Sequence, residues 1–380
     1  MKFKIQISDK MTHEDQNAKI LRIPRDLRSE LGISIGETID LGTKDGSLIK
    51  LNIGQAFIED KDTNSRVAFV SKLIFDVLEF IDNEEKNPIP LVNDITLGAD
   101  PEYFLLKKQN HNIVTANSFF GKYGAIGYDG ILAEIRPEPH TCEEGLTNNI
   151  KGLLQKAKNI ISTHKTLGQD TTLVAKSHHR GVVAGFHLHY GIISPALLAP
   201  NYNYNVLNVI IEQIVRVLDY YLGIPSIIPE GIEDSSRRCA PFTSYGKAGD
   251  YRVDHRTLEY RVPGGHLLRH PNLTKGLIGL GAAVIEDIIS RIKVCSDNFD
   301  LSKISNINEK DLYPNILSKQ ELIQTIGTPD TKKAKDKLDS IYKDVSSMVS
   351  YGKRKETIDL FFSVLEEKYS CYIEDNWQLK

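Results

Sequence analysis

Four short segments of the chain alternate apolar and charged positions: LGADPEYFLL, ILAEIRP, GFHLHYG and TLEYRVPGG. In an extended strand, side chains two residues apart point to the same face. The segments therefore predict four strands whose pairs Asp100/Glu102, Glu134/Arg136, His187/His189 and Glu259/Arg261 lie on one face. The opposite face is apolar, carrying Tyr103 and Leu105, then Ile131, Ala133 and Ile135, then Phe186, Leu188 and Tyr190, and finally Leu258, Tyr260 and Val262. A sheet built from these strands has one face that packs and one face that presents carboxylates, imidazoles and guanidiniums together.

Between and around these strands the apolar period lengthens to that of helices. RVAFVSKLIFDVLEFID (about 65 to 83) reads as an amphipathic helix, and TNNIKGLLQKAKNIISTHKTLG as a helix capped by Thr147 and stopped at Gly168. NVLNVIIEQIVRVLDYYLG (205–223) and NLTKGLIGLGAAVIEDIISRIKV (272–294) are apolar nearly all round, as helices packed deep against a sheet would be. Irregular alternation of strands and long helices predicts an α+β fold with a largely antiparallel sheet. The N-terminal stretch alternates short strand-like runs with turns, and Asp45-Gly46 marks a hairpin between ETIDLGT and SLIKLNI. The expected organisation is a small β-strand domain over 1–54, a helical linker over 55–90, a principal domain over 91–295, and a helical C-terminal appendage over 296–380.

Composition adds exclusions. With 380 residues, 41% apolar and 26% charged, the chain is that of an ordinary globular protein. A net charge of −3 argues against a global field for nucleic acid or anionic membrane. No run approaches the ~18 apolar residues of a membrane span, and MKFKIQISDKM has no apolar secretory core. Cys142, Cys239, Cys295 and Cys371 are scattered, which fits unpaired thiols in a reducing, cytoplasmic setting.

Carboxylates crowded on one face raise one another's pKa unless a cation compensates them. Mg²⁺ or Mn²⁺ does this with oxygen ligands and bridges to substrate phosphates, while arginines on the same face anchor phosphate or carboxylate bidentately. The run SSRRCAPFTSYGKAGDYRVDHRTLEYR adds Arg237, Arg238, Lys247, Arg252 and Arg256 just before Glu259. Such a run describes a solvated basic loop as well as a phosphate clamp, and its nearness to Glu259 and Arg261 points to the clamp. The glycine-rich GKYGAIGYDG (121–130) lacks the GK[ST] ending of a P-loop and reads as a flexible loop, with Asp129 as an additional acid. His178 and His179 read as exposed loop histidines.

Taken in order, these motifs resemble a known family. LGADPEYFLL is similar to the GPEPEFFL strand of glutamine synthetases with Asp100 in place of the first Glu; GFHLHYG resembles their GMHxH strand, and LEYRVPGG the strand in which a metal-binding Glu precedes a substrate-contacting Arg. GADPE, GxDGxxxEIRP, YGKxGDYR and EYR together resemble the glutamine-synthetase-like amidoligases, in particular the type 2 carboxylate–amine ligases of tailed phages, over roughly residues 95–290. The resemblance implies a glutamine-synthetase-like antiparallel sheet and an ATP-dependent ligase that joins a small-molecule or peptide carboxylate to an amine. It further implies that Glu102 and Glu134 hold one Mg²⁺ (or Mn²⁺) and that Asp100, His187 and Glu259 hold another. Glu134, Arg252 and Arg261 are then the catalytic set, and Lys247, Arg252, Arg237 and Arg238 the ATP-phosphate contacts. Arg136 is left between a substrate role and an ion pair with a face carboxylate, and His189 is read as supporting a ligand rather than ligating.

Separately, ILRIPRDLRSELGISIGETIDLGTKDGSLIKLNI resembles the SpoVT/AbrB swapped-hairpin barrels, often DNA-binding dimers, which implies a homodimer through this segment. Nine Lys or Arg against eight Asp or Glu in residues 1–50 give no phosphate footprint. Two alternatives remain open from sequence: a di-metal hydrolase using the same ligands, and a DNA-binding regulator acting through the barrel.

Overall fold

Alternating apolar positions organise both compact units of the protein, residues 1–96 with 194–199 and residues 97–193 with 200–380. The structure, a computed structural model, describes residues 4–7, 19–24, 28, 34–42, 48–55, 67–70, 95–191, 204–240, 245–253, 257–295 and 309–379. The first unit contains β1 (Lys4–Ile7), β2 (Ile20–Ile23), β3 (Thr38–Gly42), β4 (Leu48–Gln55) and β5 (Val67–Val70), in the order β1-β5-β2-β4-β3. Leu21 and Ile23, Leu51 and Ile53, and Ala68 and Val70 are each two residues apart and point into one core with Leu41. The expected hairpin is present as β3 antiparallel to β4, with Gly42 opposite Leu48; the Asp45-Gly46 turn itself lies outside the described residues.

One expectation changes here. Val67–Val70 is a strand that pairs parallel to β1, not the start of an amphipathic helix, and it carries the small sheet beyond residue 54. The rest of that predicted helix, from residue 71, lies outside the described residues.

The second unit is built on one antiparallel sheet. Its strands are β6 (Leu97–Lys107), β7 (Ile126–Asp129), β8 (Leu132–Ile135), β9 (Thr171–Val174), β12 (Phe186–Tyr190), β13 (Tyr251–Val253) and β14 (Leu258–Tyr260), in the order β13-β14-β12-β6-β8-β7, with β9 beside the second half of β6. A two-residue hairpin, β10 (His178–His179) with β11 (Val182–Val183), precedes β12. The longer helices are α1 (Glu143–Thr163), α2 (Tyr204–Leu218), α3 (Pro271–Cys295), α4 (Lys319–Ile326), α5 (Leu338–Ser346) and α6 (Tyr351–Val364). Helix α1 starts earlier than Thr147, with Glu143 and Glu144 in its first turn, where the helix dipole favours acids; Thr147 instead donates to the Glu143 carbonyl at 2.7 Å. Leu146, Ile150, Leu153, Leu154, Ala157 and Ile161 form its buried stripe. Helix α2 widens into a π turn at Asp219–Gly223, where the Tyr260 hydroxyl donates to the buried Asp219 carboxylate at 2.9 Å.

The chain beyond 295 is part of this unit rather than an appendage. The fully buried Trp377 donates to the Leu268 carbonyl at 2.8 Å, and Tyr372 bridges to Val174 on β9. Arg354 on α6, fully buried, spans Glu143 on α1 (3.2 Å) and Glu286 on α3 (2.7 Å). Cys142, Cys239 and Cys371 are free thiols, as expected. Among the described residues no helix is long and apolar enough to cross a membrane.

Two outcomes follow. Arg354→Ala strands two carboxylates against the core, so chemical denaturation should show a loss of about 3 kcal/mol. Burial pushes the Asp219 carboxyl from 3.8 up to about 7. Between those values the folded protein holds a proton that the unfolded chain releases, so stability falls as pH rises through this window and levels off above it. Denaturation at pH 5 and pH 8 should show a smaller decline for Asp219→Asn than for the parent; parallel declines would refute this origin.

Candidate active site

Strand register assembles the charged face. On β12, His187 lies opposite Asp100 and His189 opposite Gly98; on β14, Glu259 lies opposite His189; on β13, Arg252 lies opposite Glu259; and on β8, Glu134 lies opposite Glu102. Farther along the same face of β6 the character changes: Phe104 and Leu106 pack with Leu132, Val174 and Ala184. The polar patch thus ends at an apolar wall.

At the centre, the absent side chain of Gly98 makes room for His189, whose Cβ would be 3.2 Å from a Cβ placed there. His189 Nε2 reaches Asp100 Oδ1 at 3.0 Å. His187 Nδ1 is 3.4 Å from Asp100 Oδ1 and 3.4 Å from Glu259 Oε1. Burial alone would raise the Asp100 carboxyl, yet hydrogen bonds to His187 and His189 hold it well below the usual carboxylate range. Asp100, His189 and Glu259 each offer a ligand atom, all within 4.8 Å of one another. The group that could hold a cation thus includes His189 together with Asp100 and Glu259.

Glu102 is buried beside this cluster, and burial raises its carboxyl. Its Oε2 accepts from the Gly185 N–H at 2.5 Å and from the Tyr245 hydroxyl at 2.9 Å. Tyr245 oxygen is also 2.6 Å from His187 Nε2. The Tyr245 ring lies between two guanidiniums, with the Arg237 carbon 4.5 Å and the Arg261 carbon 4.9 Å from its centre. Glu134 pairs with Arg136, which also donates to the Gly124 carbonyl at 3.1 Å and so ties the glycine-rich loop to this carboxylate.

Of the predicted basic residues, Arg252 Nε contacts Glu259 Oε2 at 2.5 Å and Arg261 Nε is 3.3 Å from Glu259 Oε1, both on the sheet face. Lys247 is half-buried in the turn that precedes β13. Arg237 and Arg238 are fully buried and are not presented as a phosphate clamp. Arg237 donates to the Val262 and Arg261 carbonyls, both at 2.7 Å; Arg238 contacts Glu230 at 2.6 Å and donates to the Ile326 and Thr328 carbonyls. Buried guanidiniums need such acceptors, and these two arginines brace the backbone from beneath. Arg256 lies outside the described residues. Asp129 is exposed at the β7–β8 turn, and His179 is buried with Nε2 2.9 Å from the His111 carbonyl, rather than exposed. Tyr245 and Gly185 are the residues that sequence reasoning passed over. Tyr245 sits inside the YGKAGDYR run, where its signal was an aromatic residue next to glycine and two residues before a lysine.

The family description "Phage phiEco32-like COOH.NH2 ligase-type 2" matches residues 97–379. No curated protein sequence matches the chain. Among solved structures, the complex of prokaryotic ubiquitin-like protein Pup with its ligase PafA is similar at 14% identity and a TM-score of 0.44, over 73% of this chain and 64% of that one. A novel glutamine synthase homolog is similar at 12% identity and a TM-score of 0.40, over 76% and 71%. A bifunctional glutathione synthetase from Pasteurella multocida gives 12% and 0.38, over 75% of this chain and 54% of that one, so the chain spans about half of that enzyme.

The packing at Gly185 gives a sharp test. A Cβ there would lie 2.3 Å from His187 Nε2 and 2.8 Å from the Tyr245 hydroxyl. Gly185→Ala should displace both and cost about 1–3 kcal/mol of stability, measured by chemical denaturation.

Proposed function

We propose the following reaction for this chain, which belongs to the phage phiEco32-like COOH.NH2 ligase-type 2 family and is an amide-bond-forming ligase. A carboxylate oxygen of one substrate attacks the γ-phosphorus of ATP, ADP leaves, and an acyl phosphate forms; an amine then attacks the acyl carbon, phosphate leaves, and the amine gives up a proton. The observation that carries this reading is the convergence of Asp100, His189 and Glu259 within 4.8 Å, beside Arg252 and Arg261 on the same carboxylate.

The donor set fits a hard divalent cation, being carboxylate oxygens with imidazole. Asp100, Glu259 and the two histidines would hold one Mg²⁺ or Mn²⁺, and Glu102 with Glu134 a second. When bound, such ions neutralise charge on the phosphates. The protein's own part is positional and electrostatic. Arg261 is held beside the reacting groups by Glu259 and by the Tyr245 ring, ready for the charge that develops on the transferring phosphoryl group. Arg252, 63% exposed, is the guanidinium free to turn from Glu259 onto an incoming triphosphate, with Lys247 nearby in the turn. The apolar wall of Phe104 and Leu106 excludes water from one end of the patch, which protects an acyl phosphate from hydrolysis. The substrates are a small-molecule or peptide carboxylate and an amine. Family membership sets the hydrolase alternative aside.

The test is ADP release from purified protein with Mg²⁺ and ATP across pools of amino acids and peptides, with mass spectrometry of products. Loss of water between two pool members, matched to ADP, is expected. Glu134→Gln, Glu259→Gln and Arg261→Ala should each lower turnover by about 100-fold or more while folding is retained. Turnover unchanged in any of the three would overturn the assignment of that residue, and unchanged turnover without divalent ions would overturn the metal reading.

A further inference from the structure

Where α2, α4 and the turn before β13 meet, a pocket of about 230 Å³ opens on the side of the sheet away from the charged face. Register fixes that side. Tyr251, in the pocket wall, pairs with Tyr260, whose hydroxyl meets Asp219 beyond the end of α2; Arg252, the next residue, pairs with Glu259 on the charged face. The pocket lies below the ~300 Å³ of drug-sized sites and well above the ~30 Å³ of one water. Its walls are apolar, from Val215 on α2 and Leu322 and Ile323 on α4, and its floor is the buried Asp219, which also accepts from the Gly249 N–H. Opposite charges stand on the two helices, Glu212 on α2 and Lys319 on α4. Arg216, the other cation of the lining, is already held by both oxygens of Glu309, at 2.8 and 3.0 Å. It lies 3.8 Å from Glu212, a weak pairing at an exposed carboxylate, so Glu212 keeps most of its charge uncompensated. Lys319 is exposed and makes no ion pair among the described residues.

We propose that this pocket binds a small amphipathic zwitterion, of the size and chemistry of a free apolar amino acid, and that its occupant acts on the segment carrying Lys247 and Arg252. The ligand's ammonium meets Glu212, its carboxylate meets Lys319, and its side chain lies on Val215, Leu322 and Ile323. An anion alone would face Glu212, and a cation alone would face Lys319 and Arg216, so both charges are needed on one ligand. The turn before β13 supplies the remaining wall through Ala248 and Gly249. That turn is compact: the Asp250 carboxylate accepts from the Gly246 N–H at 2.6 Å, the Asp250 carbonyl accepts from the Arg261 N–H at 3.0 Å, and Gly249 sits at φ 81°, which glycine adopts without strain. A group pressing on Gly249 and Tyr251 therefore shifts Lys247 and Arg252, their neighbours in the chain. The pocket stands on its own geometry, and the effect on nucleotide rests on the role given to Arg252 above.

The experiment is isothermal titration calorimetry of the full chain. L-Leucine should bind, while leucinamide, which lacks the carboxylate, and 4-methylpentanoate, which lacks the ammonium, should each bind at least about tenfold more weakly. Lys319→Ala and Glu212→Gln, both at exposed side chains, should weaken leucine binding at least about fivefold with an unchanged melting temperature. Arg261→Ala, on the charged face, should leave leucine binding as it is in the parent. ATP affinity measured with Mg²⁺ should change at least about fivefold when leucine is present, in the parent and not in Lys319→Ala. No heat from leucine, valine, methionine or phenylalanine would overturn the site, as would leucine binding that survives Lys319→Ala or is lost in Arg261→Ala. Leucine binding that leaves ATP affinity unaltered would overturn the action on Lys247 and Arg252. If ATP itself does not bind, the reading of the reaction fails, and the leucine titrations still decide the pocket.

Discussion

Repulsion among four carboxylates on one sheet face is the constraint around which this molecule is arranged. Asp100 and Glu102 come from β6, Glu134 from β8 and Glu259 from β14, and none is left to face the others alone. Asp100 is answered by two imidazoles, Glu102 by a backbone N–H and a phenol, Glu134 by Arg136, and Glu259 by Arg252 and Arg261. The two imidazoles come from β12 and Arg252 from β13, so part of the charged face is held by contacts between paired strands. A site of this kind is prepared in advance, its charged groups already held in place by internal partners.

The opposite face explains how so much charge is tolerated. Tyr103, Leu188 and Tyr260 are fully buried beneath the helices, and α3 and α6 are locked by Arg354. The last helical turn reaches back to β9 and Trp377 seals against Leu268. Burying this face offsets the cost of holding like charges close on the other.

How much of this was legible depended on whether a local period carried the information. The four charged pairs were visible because strand geometry sets their direction and nothing else is needed. Burial of Arg237 and Arg238 was not visible, since a run of cations looks the same whether it faces solvent or backbone carbonyls. Tyr245 acts through contacts to strands distant in sequence, which leave no local pattern. Val67–Val70 fell to the ambiguity of short apolar runs, where helix and strand periods fit equally well. The polar sequence beyond 295 concealed Trp377 and Arg354, whose roles are set by partners on α1, α3 and the turn before it.

Assembly from distant segments also bears on how the protein reaches its native state. Asp100 and Glu259 become neighbours only after β6, β12 and β14 have paired, and the intervening chain includes α1 and α2. Contacts between segments so far apart in sequence form late, because the entropy of closing long loops is met first. The mutual repulsion of the carboxylates is therefore absent from the early steps of folding and is felt mainly once the sheet closes.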